Sequence, residues 1–247
     1  MKLIGNYCTR IDRGQVRYSN EDQALILTNP HGDILMLVAD GMGGHAQGDL
    51  AARLAIDTIA RAYRNRPYFL TRKSAEMWLT KTIRHANSVI YREAQNNPDY
   101  RDMGTTLVAA LIRTNDLTLV NAGDSRAYWL ENGRLNLLTE DQTLVSYLAK
   151  TGQIRPEEKK THPRRHVLIN ALGVDPSVSL DVFKLDYLDQ TILLCSDGLY
   201  NHVNDDEIEA VLLTDDSVEE KATMLVTNAN NNGGTDNIAV ALWEREL

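Results

Sequence analysis

Acidic residues in this sequence recur in one kind of place. Asp40 closes the apolar run Ile34-Leu-Met-Leu-Val-Ala and is followed by Gly41, while Asp124 follows Leu119-Val-Asn-Ala-Gly. Asp197 follows Ile192-Leu-Leu-Cys-Ser and precedes Gly198. Asp236 follows Gly233-Gly-Thr and precedes Asn237 and the run Ile238-Ala-Val-Ala-Leu, and Asn20-Glu21-Asp22 leads into Gln23-Ala-Leu-Ile-Leu. An acid at a strand end is delivered to the rim of a sheet by apolar residues that fix its position. Where several such ends converge, the carboxylates crowd together unfavourably unless cations neutralise them. Hard oxygen donors without paired Cys or His suit Mg²⁺ or Mn²⁺ rather than Zn²⁺. A single Asp-Gly is better read as a turn; the recurrence favours a shared site.

Arg17 stands three residues before Asn20 and five before Asp22. A guanidinium beside an acidic cluster can grip a phosphate bidentately or form a salt bridge to Glu21 or Asp22, and spacing leaves both readings open. Gly41-Met42-Gly43-Gly44-His45-Ala46 fits a dinucleotide-binding pattern, but Asp40 would oppose the pyrophosphate. The acid-ended strand expected about twenty residues on is missing as well. Gly123-Asp124-Ser125-Arg126-Ala127 offers an esterase-like serine, yet His202 is the only histidine after His166 and it falls in an expected turn. Ser125 is therefore read as a structural hydroxyl. His162 and His166 have helical spacing, but Pro163 breaks a helix between them, which argues against a zinc pair.

Elements able to position the acids are short. Ala24–Leu27, Ile34–Ala39, Thr106–Ile112, Leu117–Asn121, Ala127–Leu130, Thr191–Cys195 and Ile238–Leu242 read as strands, with turns at Asn29-Pro30-His31-Gly32 and Glu131-Asn132-Gly133. Helical spacing marks 45–64, 74–96, 205–213 and 218–230. Grouped strands with paired helices favour an antiparallel α+β layered domain over a doubly wound sheet. The polar stretch 139–176, with His162-Pro-Arg164-Arg165-His166, reads as a flap of short helices outside the sheet.

At 247 residues one domain spanning 1–247 is the default, burying roughly 70–75% of its unfolded surface without a disulfide. Thirty-four acids against 26 Lys and Arg, a net charge of −8, argue against non-specific nucleic-acid binding. Cys8 and Cys195 make no finger or CxxC pair, so reduced thiols in a cytoplasmic protein are expected. No apolar run is long enough for a signal peptide or a membrane span.

Taken in order, Arg17-Tyr-Ser-Asn-Glu-Asp22, Val38-Ala-Asp40-Gly-Met-Gly-Gly-His45, Gly104-Thr-Thr-Leu, Asn121-Ala-Gly-Asp124-Ser-Arg126, Leu138-Thr-Glu-Asp, Ser196-Asp197-Gly-Leu and Gly234-Thr-Asp236-Asn237 span nearly the whole chain. The set resembles the ordered motifs of type 2C metal-dependent serine/threonine phosphatases, in their bacterial branch. The resemblance implies a four-layer αββα sandwich of two antiparallel sheets flanked by helix pairs, with two Mn²⁺ or Mg²⁺ at one end. By position Asp40 would bridge both ions, the Gly41 carbonyl would ligate one, and Asp197 and Asp236 would complete the other. Glu21 and Asp22 would hold metal-bound waters, Asp124 with Asp197 would be the place for a third ion, and Arg17 would bind substrate phosphate. A water bridging the ions would attack phosphorus in line.

Phosphorylated proteins are the implied substrates, with a cognate Hanks-type kinase as their source and the enzyme a monomer; Arg164 and Arg165 are the flap residues placed to read them. Met42 is a departure from many eukaryotic members, which carry a histidine there, and thioether sulfur cannot protonate a leaving serine. A metal-bound water is the alternative acid, and His45 is read as packing the helix start. The rivals are a binding module on the same fold, which would more naturally have lost a carboxylate, and a serine esterase using Ser125.

Overall fold

In the computed structural model, which describes residues 3–43, 46–65 and 68–246, the apolar runs pair as antiparallel ladders. β1 (Gly5–Asp12) lies at the edge of one sheet, β2 (Asp22–Thr28) and β3 (Ile34–Met42) form a hairpin in the other. The hairpin turn closes on Asn29, whose Oδ1 accepts from the backbone N–H groups of His31 and Asp33. The short β4 (Gly104–Thr105) pairs with the end of β3, and β5 (Leu107–Arg113) pairs along its length. β6 (Asp116–Ala122), β7 (Arg126–Glu131), β8 (Arg134–Leu137), β9 (Asp181–Asp186), β10 (Thr191–Cys195) and β11 (Ile238–Arg245) complete the set. The orders are β1-β11-β10-β7-β8 and β2-β3-β5-β6-β9, and every pairing is antiparallel. Asn132 and Gly133, at φ 52° and 73°, make the two-residue turn between β7 and β8 that matches strand twist.

Side-chain alternation explains why the central strands read as unbroken apolar runs. On β3, Leu35, Leu37 and Ala39 face a core shared with α1 (Ala46–Arg64) and α2 (Arg72–Asn96), while Ile34, Met36 and Val38 face the core between the sheets. Both faces are buried, so both alternate sets are apolar. A third core lies under the second sheet, where Leu193, Cys195, Val240 and Leu242 meet α5 (Asp205–Leu212) and α6 (Val218–Asn231). This is the αββα sandwich expected from the family resemblance. Capping boxes set the helix starts: Thr71 with Ser74, Asn204 with Glu207 and Ser217 with Glu220. α3 (Leu144–Lys150), a 3-10 segment at Pro156–Thr161 and α4 (Asp197–Tyr200) are short.

Strands β1, β8 and β9 lie outside the apolar runs read from the sequence. Each sits at a sheet edge and carries polar or charged residues, as in GNYCTRID, RLNL and DVFKLD, so the apolar signal fades where one flank is open. Segment 139–176 is closed on itself by a bridge at Thr143↔Leu168 and tied to the body by one at Thr105↔Leu172. Among the described residues no helix is long and apolar enough to cross a membrane.

Candidate active site

Antiparallel pairing places the start of β2, the end of β3, the β6–β7 connection, the end of β10 and the start of β11 at one end of the sandwich. Asp22 and Asp40 are direct cross-strand partners. Cys195, two residues before Asp197, pairs with both Arg126 and Val240, so the end of β10 neighbours the starts of β7 and β11. The topology thus brings Asp22, Asp40, Asp124, Asp197 and Asp236 together from both sheets, close enough for Asp40 to feel the charge of the other four.

Crowding shows in their protonation. Burial, then the charges of Asp197 and Asp236, push Asp22 up to about 8. Burial and Asp197 do the same to Asp124, also to about 8, and burial with Asp236 lifts Asp197 to about 6. Asp40 is held well above the carboxylate range by burial and by its acidic neighbours. Asp22 is 1% exposed; its Oδ2 accepts from the Ser196 hydroxyl at 2.6 Å, while its buried Oδ1 has no hydrogen-bond partner. Among the described residues no three such side chains already stand as a finished ligand set, and Asp236 is engaged by Arg17. The donors nonetheless fit a hard divalent cation: the candidate ligand atoms are all oxygen, two of the carboxyls, Asp22 and Asp124, are pushed up to about 8 by burial and crowding, and one buried oxygen is unsatisfied.

Arg17 Nη2 lies 2.8 Å from Asp236 Oδ2, with about half its side chain exposed at the mouth of the site. The spacing argument named Glu21 and Asp22 as its salt-bridge partners. The acid it meets is 219 residues away, because the loop before β2 folds against the start of β11. Asn237 makes that junction, accepting from Glu21 N at 2.9 Å and donating to the carbonyls of Arg13 and Ser19 at 2.8 and 2.9 Å. Gly41 N donates to the Glu21 carbonyl, and a Cβ on Gly41 would collide with the Gly48 carbonyl, so the exit of β3 packs directly on α1. The backbone of Asp40 is fixed from the β4–β5 junction: its N–H donates to Thr106 Oγ1, and its carbonyl accepts from the Thr105 hydroxyl and Thr106 N–H.

Ser125 is fully buried and its hydroxyl meets that of Thr106 at 2.7 Å, a contact that offers no base and supports the structural reading. Met42 ends β3 and lines the groove over the site, while His45 lies outside the described residues. That groove has a volume of about 1430 Å³ and is lined by Arg17, Glu21, Asp40, Gly41, Asp124, Asp197 and Asp236. Lys160, Arg165 and His166 reach its wall from segment 139–176; Arg164 is not among the lining residues. Arg126, which chemical reasoning passed over, also lines it. Its Nε and Nη2 grip Asp141 at 2.9 and 2.8 Å, and its guanidinium stacks 3.6 Å over the Tyr200 ring. Ser196, Asn237, Thr106 and Arg126 were legible only as members of the ordered motifs that carry the family resemblance.

The model of the protein phosphatase 2C family matches residues 11–239. A serine/threonine phosphatase, Stp, of Listeria monocytogenes is 43% identical over 239 residues, covering 96% of this chain and 95% of that protein. The serine/threonine protein phosphatase PstP of Mycobacterium tuberculosis is 38% identical over 97% of this chain and 45% of its own length. Among solved structures, the serine/threonine phosphatase Stp1 from Staphylococcus aureus superposes with a TM-score of 0.92 at 35% identity, covering 100% of this chain and 98% of that one. With the family model spanning most of the chain and relatives of this identity matching nearly all of it, the chain belongs to the protein phosphatase 2C family.

Proposed function

We propose that this protein is a protein serine/threonine phosphatase whose carboxylate cluster holds two Mn²⁺ or Mg²⁺ ions and hydrolyses phosphoserine and phosphothreonine monoesters. The observation that carries the reading is the set of carboxyls gathered from both sheets at one end of the sandwich, four of them pushed above the ordinary carboxylate range by burial and by one another's charge, with a half-exposed arginine beside them. Asp40 would bridge the ions, with the Gly41 carbonyl, Asp197 and Asp236 completing their shells. Glu21 and Asp22 would reach them through water, and Asp124 with Asp197 would form the place for a third. The chemistry such ions supply when bound is Lewis acidity, which lowers the pKa of water at the site and offsets charge on the phosphoryl oxygens.

The chain's own residues do the rest. Arg17 exchanges Asp236 for the substrate phosphate, orienting it over the carboxylates. Thr105 and Thr106 fix the backbone of Asp40, and Ser196 fixes Asp22. Met42 cannot protonate the leaving serine, so that proton comes from water. The chain acts as one domain with 139–176 as a flap, from which Lys160 and Arg165 present positive charge to a bound phosphoprotein. A cognate protein kinase would supply these substrates to a monomeric, cytoplasmic enzyme.

The test is phosphate release from a phosphothreonine peptide with Mn²⁺ and then with excess EDTA. Release is expected to require the metal, to vanish in Asp40→Ala and Asp236→Ala with the fold intact, and to survive in Ser125→Ala. Turnover that persists in chelator and dies with Ser125→Ala would overturn the reading in favour of an esterase, and binding of the peptide without release would favour a binding module.

A further inference from the structure

The turn that carries Asp236 has little stiffness of its own. Gly233 and Gly234 stand at φ 125° and 52°, and Thr235 is exposed. Glycines in this region leave many conformations open. Asp197, the other strand-end acid on this side, begins the single-turn α4, and Gly198 follows it. One side chain spans the two turns. His202 Nδ1 lies 3.0 Å from the Gly198 carbonyl oxygen, while Nε2 lies 3.2 Å from Thr235 N and 2.9 Å from Thr235 Oγ1. The His202 carbonyl accepts from Asn232 Nδ2 at 2.8 Å, which ties the same turn a second time.

We infer that His202 is a positioning residue that cross-links the Asp197 and Asp236 turns and so sets the spacing of two candidate ligands. Two backbone groups dictate the form of the ring. A carbonyl can only accept, so Nδ1 carries the proton; a backbone N–H can only donate, so Nε2 keeps its lone pair. With both nitrogens engaged the ring is not a proton donor to the leaving group, although it borders the groove. Each contact falls on the residue next to an acid rather than on the acid itself, so the ring works through the backbone. Groups that orient ligands in this way carry about 10-fold or more in metal affinity.

The inference rests on the metal reading above, and its test separates the two. Mn²⁺ affinity of the purified protein is measured from the electron paramagnetic resonance signal of free Mn²⁺, for wild type, His202→Phe and His202→Gln. Phenylalanine fills the space without hydrogen bonds, and glutamine keeps a donor and an acceptor. His202→Phe is expected to bind Mn²⁺ about 10-fold more weakly, with His202→Gln recovering part of the loss. Equal affinity in wild type and His202→Phe, or a glutamine variant no tighter than the phenylalanine one, would overturn the inference and leave the metal reading standing. Failure of wild type to bind Mn²⁺ would remove both. Should the variants not fold, ¹⁵N shifts of the wild-type histidines decide: the Nδ1–H tautomer at His202 supports the cross-link, and an Nε2–H or doubly protonated ring overturns it.

Discussion

Arg17 shows how a residue can be legible in type and illegible in partner. Its nearness to Asn20, Glu21 and Asp22 left it between a substrate phosphate and a salt bridge to Glu21 or Asp22, yet the acid it meets is Asp236, brought close by a β1–β11 pairing that no local spacing encodes. The same holds for the site as a whole. Asp40, Asp124, Asp197 and Asp236 were visible because each terminates or precedes an apolar run. The partners of Ser196, Asn237 and His202 were not, although the sequence names all three, because a hydroxyl, an amide or an imidazole in a turn has no periodic signature until the turns meet. The Arg17 pair also yields a two-part prediction. Arg17→Ala should raise KM for a phosphothreonine peptide about tenfold, the value of one charge-assisted contact at a half-exposed site, while kcat changes little. It should also tighten Mn²⁺ binding, since Asp236 loses a competing cation. An unchanged KM in steady-state assays would assign Arg17 to Asp236 alone.

At the scale of elements, legibility followed burial. Strands buried on both faces, such as β3 and β11, were plain as apolar runs, and the edge strands β1, β8 and β9 were hidden by their polar residues. Segment 139–176 was read as short helices, and α3 with the 3-10 segment occupies it, although its bridge to Thr105 carries no sequence signal. The junction of elements is where stability and site geometry coincide. Ser196 follows β10, donates to Asp22 at the start of β2 and accepts from Ala239 N of β11 at 2.8 Å, all in a fully buried position. Ser196→Ala leaves a buried N–H and a carboxyl oxygen unpaired, costing about 2–3 kcal/mol. For a chain of this size that lowers Tm by roughly 4–12 °C. Thermal melts in chelator measure it, and a Tm within about one degree of wild type would show that both groups find other partners.

For the whole molecule the carboxylate cluster works against the fold it is built on. Asp22 and Asp124 hold protons up to about pH 8 and Asp197 to about 6 in the folded state, against an ordinary value of 3.8, with burial the largest cause in each. Between roughly pH 4 and 8 the folded chain therefore binds more protons than the unfolded one, so stability falls as pH rises through this window. Glu158 and Glu220, lowered by hydrogen bonds to Arg155 and Ser217, act in the opposite sense, but only as pH falls below their ordinary 4.5. The net charge of −8 at neutral pH adds self-repulsion in the same direction as the cluster. Chelated protein should thus melt several degrees lower at pH 8 than at pH 5.5. Divalent cations reverse the order, because they bind the deprotonated carboxylates of the folded state alone and stabilise most where protons no longer compete. Mn²⁺ should therefore raise Tm more at pH 8 than at pH 5.5, and Asp22→Asn should flatten the metal-free dependence by removing one titrating group. Calorimetric scans at the two pH values, with and without metal, measure all three. A metal-free Tm that climbs from pH 5.5 to 8 would mean that the clustered acids are already ionised in the folded chain, and the electrostatic account of the site would fall with it.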